Sequence, residues 1–259
     1  STRKRTLFPY TTLFRSIDHA LKRLVAAASY FYFGVLVRRF LHAMVQFGSR
    51  APRLAFTQDE AKQQLLWNLH TQVMEICSRI DAVYASVTLL DFCRKNIDEA
   101  VPRGDLHTWG VLGSWSHVAT SAGAIRIKDV YEVIQASNVA LNAALGDAVV
   151  KVKPSPEDLL LQYFPALHKA RHAAAHTGLQ TKNPSQRKKH AFTGNHQGER
   201  LKIENTKDLI MSSAVDGSTF KATWEGELVE IEISMETMAR LEEVKLAFFK
   251  KVPESYLAR

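Results

Sequence analysis

Between Thr57 and Ile97 apolar side chains recur every three or four residues, and that period commits this stretch to helix. Leu65, Leu69, Val73 and Ile76, then Ile80, Val83 and Val87, fall on one stripe, so one face of the helix must be buried against neighbours. Thr57 with Glu60 fits a capping box, a hydroxyl at the N-cap and a carboxylate three positions on. Continued to Ile97, the segment spans about forty residues, long against the roughly 10–14 of an ordinary globular helix, which predicts a kink or break inside it.

Other segments carry the same period. Residues 18–47, with Leu21, Leu24, Val25, Ala28 and Phe31, read as a helix with little polar relief, suited to a central position. Its strongest apolar run, Leu24 to Val37, is fourteen residues and ends at Arg38 and Arg39. A spanning helix needs ~20, so a buried core helix is expected and no membrane partner, with a re-entrant or membrane-facing helix as the alternative. Pro102 to Gly104 is a breaker. The stretch 105–123, with His107, Trp109, Trp115 and His117, reads as a loop or short helix, packed on the bundle or walling a groove. Its Gly110, Gly113 and Gly123 make no phosphate-binding pattern, because no strand precedes them and no Gly-Lys-Ser/Thr follows. Periodicity returns from Ile125 to Ala144, through Val130, Val133, Ile134 and Leu141, and Gly146 marks the end.

Ser155 suits an N-cap, Pro156 the first helical position, and Glu157 and Asp158 complement the helix dipole. Pro165 then kinks or divides the segment LLLQYFPALHKARHAAAH, and Thr177-Gly178 stops it. Residues 179–200 are polar, basic and nearly aperiodic, and read as a flexible loop ordered by a partner. Beyond it the period becomes two: Leu201 to Glu204, Phe220 to Trp224, and Leu228 to Ile233 with Val229, Ile231 and Ile233 on one face. Asp216-Gly217 and Glu225-Gly226 mark turns, and Ser234 caps a last helix carrying Met238, Leu241, Val244, Leu246 and Phe248. The fold class expected is mainly α: a bundle of four to five helices over 17–178, the basic loop 179–200, and a β-ribbon with final helix over 201–259, packed on the bundle because so few strands are marginal alone.

With 46% hydrophobic and 23% charged residues the chain can build a core. Cys77 and Cys93 are too few for a disulfide scaffold and read as buried thiols in a reducing, cytoplasmic setting. Residues 6–16, TLFPYTTLFRS, read as the translation of a sequencing-adapter primer; with the preceding STRKR they are set aside, and the natural start of the chain is expected to lie outside the sequence. Their four basic residues account for half of the formal charge of +8. The remaining excess is concentrated: residues 151–210 hold 11 basic and 5 acidic groups, residues 17–150 hold 13 and 12, and residues 211–259 hold 6 and 9. The positive field therefore surrounds the histidine-rich helix and the segment after it.

His168, His172 and His176 recur every four residues, and Arg171 lies beside them. Arginine offers a permanently charged fork of donors to phosphate oxygens, and histidine moves protons near neutral pH. Together Arg171 and His176 could activate a ribose 2′-OH against the adjacent phosphodiester, with His172 holding a ligand oxygen or orienting His176; the scheme needs no metal and no cofactor. The residues alone leave other readings open. Basic groups near a helix C-terminus complement its dipole. An imidazole stripe could also bind metal, although no HExxH or paired-cysteine spacing accompanies it. Lys182, Arg187, Lys188, Lys189 and Arg200 could contact RNA phosphates or form a solvated loop, and Phe192 is the one ring among them. No serine-hydrolase elbow, kinase set or EF-hand is present, and Asp81 and Asp91 make no case for paired-carboxylate chemistry.

The hexapeptide RHAAAH, residues 171–176, resembles the mark of HEPN (higher eukaryote and prokaryote nucleotide-binding) domains: an arginine, a polar neighbour, and a histidine after a gap of four to six. Arg171 matches the arginine, His172 the polar neighbour and His176 the histidine. The resemblance covers roughly 57–178 and implies a helical bundle with the motif on a late helix. It also implies a metal-independent endoribonuclease of toxin–antitoxin or phage-defence systems, acting at the composite cleft of a homodimer, with RNA as substrate and an antitoxin as protein partner. Other members of the superfamily are catalytically silent nucleotide-binding or interaction modules, which is the alternative expectation here.

Overall fold

The computed structural model describes residues 52, 54, 57–176 and 182–257, all within one compact unit, Phe47–Arg259. The helix expected over 18–47 and the stop at Thr177-Gly178 lie outside the described residues. The described architecture is mainly helical, with two small antiparallel sheets and a final helix.

Two long helices form its spine. Helix α1, Glu60–Ala100, and helix α2, Leu106–Leu145, fold back on each other through a short 3-10 turn, Val101–Arg103, closed by Gly104 at φ 68°. Helix α1 is a single helix of 41 residues, so the expected break is absent. It survives because its stripe is covered along the helix: Leu66, Leu69, Val73, Ile76, Ile80, Val83, Val87 and Leu90 are all buried. The stripe starts on Leu66 and not Leu65, which is 37% exposed. The N-cap also differs from the expected Thr57. Asp59 accepts from the Lys62 N–H at 3.1 Å, while the Thr57 N–H donates to Gln63 Oε1 at 2.9 Å.

The stretch 105–123, which reads as a loop or short helix, is neither: from Leu106 on it is the first half of the long helix α2, and Asp105 is its N-cap. Its buried hydroxyls turn back on their own helix: Ser116 Oγ donates to the Leu112 carbonyl at 2.9 Å and Thr120 Oγ1 to the Ser116 carbonyl at 2.9 Å. That satisfies them inside a core without breaking the helix. Gly146, at φ 52°, ends it as expected. Helix α3, Pro156–Tyr163, opens on a capping box between Ser155 and Asp158, and Pro165 divides it from helix α4, Leu167–Ala175, as the proline predicts.

The basic segment is more ordered than its composition suggests. Asn183 caps helix α5, Pro184–His190, and strands β1, Phe192–Gln197, and β2, Lys202–Leu209, follow as a hairpin. Strands β3, Ala214–Asp216, β4, Thr219–Trp224, and β5, Glu227–Glu232, form the second sheet. Ser234 then caps helix α6, Met235–Phe249. Val229, Ile231 and Ile233 are buried, as their alternation requires, and join Phe220 and Phe248 in one core with α1, α2, α3 and α4. Gly123 lets α2 approach the end of β5, since a Cβ there would meet Ile233 at 2.9 Å.

A buried polar cluster ties the hairpin to the second sheet. Asp216 accepts backbone N–H groups of Glu199 at 3.0 Å, Arg200 at 2.5 Å and Leu201 at 3.1 Å, and pairs with Lys221 Nζ at 2.6 Å. Lys221 also reaches Glu230 at 2.8 Å and His196 Nε2 at 2.5 Å. Burial alone would raise the Asp216 carboxyl; the hydrogen bonds from Lys221 and the backbone outweigh it and hold the group below the usual carboxylate range. No helix among the described residues is long and apolar enough to cross a membrane.

Candidate nucleic-acid site

Helix α4 is short because Pro165 precedes it, and its alanines fix how it lies. Leu167, Ala170 and Ala173 are buried, which turns His172 outward and leaves Arg171 at the boundary, half-buried. His176 is the C-cap; its N–H donates to the His172 carbonyl at 3.0 Å and its side chain is exposed. The histidine stripe divides. His168 turns to α2, where its ring meets Tyr131 edge-on at 5.2 Å, and burial, with Lys128 and His172 adding to it, lowers its pKa. The His172 and His176 rings stack on each other, centroids 6.0 Å apart and planes 20° apart.

The His172 ring also stacks with Trp224, the last residue of β4, at 5.9 Å and 14°. Trp224 also packs against His190, the last residue of α5, with ring centroids 4.2 Å apart. His190 is buried, and its Nδ1 accepts the Glu225 N–H at 3.1 Å, so the ring is neutral with its proton on Nε2. The indole thus joins the two segments singled out in the sequence, the Arg–His helix and the basic tract. Arg187, Lys188 and Lys189 stand exposed on α5; Lys189 lies 3.8 Å from Glu225, and Lys169 pairs with Glu227 at 2.7 Å. Lys182 is exposed just before α5. Arg200 is drawn elsewhere, to Asp98 and Glu199, each at 3.6 Å. No hydrogen bond or ion pair joins Arg171 to any other described residue, His176 included. Among the described residues no group of three His, Cys, Asp or Glu side chains is placed to hold a metal ion.

Trp224 and the docking role of His190 were not legible in the sequence. A tryptophan closing an alternating strand just before a Glu-Gly turn was the available signal, but nothing local says which helix it meets.

Burial, then the charge of Lys189, lowers the His190 pKa from 6.5, against the pull of Glu225. A histidine with a depressed folded-state pKa contributes stability that is complete above its unfolded value and is lost as pH falls through the folded one. Docking of α5 should therefore weaken below about pH 6.5. His190→Gln keeps an acceptor without the titration. The Glu225 amide, corrected for intrinsic exchange, should lose hydrogen-exchange protection on acidification in the wild type and keep it in that variant.

Compared with protein-family models, with curated proteins and with solved structures, the chain matches none.

Proposed function

We propose that this chain is a metal-independent endoribonuclease of the HEPN type, acting at the outward face of the α4 C-terminus. The observation that carries the reading is the exposed His172–His176 pair, beside an Arg171 with no protein partner among the described residues, joined through Trp224 to the cations of α5. In the proposed reaction His176 accepts the proton of a ribose 2′-OH, the 2′-oxygen bonds to the adjacent phosphorus, and the bond to the 5′-oxygen breaks; that oxygen keeps the bonding pair and takes a proton from water, leaving a 2′,3′-cyclic phosphate and a 5′-hydroxyl. Arg171 holds the charged phosphoryl oxygens, and His172 orients His176 or a ligand oxygen. Lys182, Arg187, Lys188 and Lys189 would hold flanking phosphates. The resemblance extends the proposal to a homodimer whose two motifs share one cleft, and to a toxin–antitoxin or phage-defence setting with a protein antitoxin.

One observation favours the second reading, a silent nucleotide- or RNA-binding module. No hydrogen bond joins Arg171 to His176, and the His172 ring stacks with both His176 and Trp224, an arrangement suited to holding a base.

Cleavage of single-stranded RNA in EDTA separates the two. The wild type should cut, and Arg171→Ala and His176→Ala, each with wild-type circular dichroism, should lose about 10²–10⁴-fold in rate. Cleavage that persists in either variant rules out the assigned roles. Binding without turnover in all three proteins supports the silent module.

A further inference from the structure

We infer that Trp224, His172 and His176 form a stacking platform for unpaired nucleobases, so that this site takes single-stranded RNA and not duplex; the inference rests on the proposal that the site binds RNA. Three near-parallel rings follow one another from β4 to the end of α4, with centroids 5.9 and 6.0 Å apart and planes within 14° and 20°. The two imidazoles are exposed, and the indole is half-buried. A base stacks well only on a ring that does not yield. Trp224 meets that condition, because His190 packs against it at 4.2 Å and is itself tied to the Glu225 N–H.

The charge around the column suits a phosphate backbone. Glu225 and Glu227 are the acids beside it, and each faces a lysine, Lys189 and Lys169. Arg171, Arg187 and Lys188 remain without a partner among the described residues, and the last two project from the helix that ends at His190. Aromatic faces interleaved with backbone cations are how single strands are held without reading sequence. A duplex keeps its base faces inside its own stack and offers them to no side chain. The phosphate cations alone would accept either form, so preference for the single strand is the part that depends on the rings.

The test uses the full chain and a fluorescein-labelled 2′-O-methyl oligoribonucleotide, which has no 2′-OH and so separates binding from turnover. Anisotropy should show the single strand bound at least tenfold more tightly than its duplex. Trp224→Leu should weaken single-strand binding about tenfold or more and leave duplex binding unchanged, while Trp224→Phe stays within about threefold of wild type. Equal affinity for the two forms, or no loss in a folded Trp224→Leu protein, would overturn the inference. If the leucine variant does not fold, the wild-type minus Trp224→Phe fluorescence difference serves instead: the oligomer should quench it, and an unquenched difference overturns the platform. Binding of neither form overturns it as well and leaves a protein as the partner of this face. Failure of the ribonuclease reading is separate, since it shows as intact unmodified RNA in EDTA while the 2′-O-methyl strand is still bound through Trp224.

Discussion

Gly198→Ala is expected to lower the unfolding free energy by about 3–5 kcal/mol, the cost of breaking a buried ion pair by disturbing one partner. Gly198 follows β1, and its backbone donates to the Leu201 carbonyl at 2.8 Å. A Cβ at this position would overlap Asp216 Oδ2 and come within 2.5 Å of Lys221 Nζ. Its backbone does not lie in the left-handed region, so the penalty is one of space and not of conformation. Asp216 and Lys221 cannot yield cheaply, because their side chains are 1% and 3% exposed and Asp216 also holds three backbone N–H groups. Lys221→Met attacks the same cluster from the other side and should cost a similar amount. Both variants remove one arrangement, so their combined loss should be smaller than the sum of the two. Urea titration of the two single variants and the double variant measures this. Wild-type stability in Gly198→Ala would mean that the hairpin is not held by Asp216.

Asp81→Asn should act in the opposite direction, raising stability at neutral pH by about 2–3 kcal/mol. Asp81 is buried on α1, yet it accepts no hydrogen bond from a described residue; the charge of Lys245 on α6 only partly supports it. Burial pushes its carboxyl up to about 6 in spite of Lys245, with Glu242 adding to the rise. An acid with a raised folded-state pKa contributes stability that is complete below its unfolded value, near 4, and is lost as pH rises through 6. The asparagine side chain resembles the protonated acid at every pH, so its advantage should be full above pH 7 and vanish near pH 4. Lys245 keeps Glu242 at 2.6 Å in either protein. Thermal melts of the pair at pH 4 and pH 7.5 give the result; an advantage independent of pH would assign the effect to packing. Two buried aspartates thus behave oppositely for one reason: Asp216 is surrounded by donors and Asp81 is not.

The sequence carried the helical class through spacing and caps. Ser155, Pro156, Pro165, Gly146 and Ser234 mark boundaries by local chemistry, and each acts where expected. Helix α2 was obscured because Gly110, Gly113, Ser114 and Ser116 weaken local propensity, and the packing of α1 along it overrides that weakness. Segment 182–197 was obscured for a related reason. Its order comes from His190 under Trp224 and from the Asp216 cluster beyond β1, partners more than fifteen residues away. At the site, the Arg–His motif was legible as a pattern. The ring that bridges it to the basic helix was not, because that bridge exists only once α4, α5 and β4 meet.

The pairing of α1 with α2 also sets an order of events during synthesis. Two helices of 41 and 40 residues joined by a short turn begin their contacts at that turn, between residues close in sequence, and such contacts form early. The flank of α1 that meets α6 must then wait for Phe248, about a hundred residues later, or about 5–20 s at the pace of a ribosome. For that interval a nascent chain carries an uncovered oily seam beside Cys77 and Asp81. A chaperone that binds apolar surface should find it there, and ribosome-stalled chains ending before Met235 should be captured more readily than chains that have released α6.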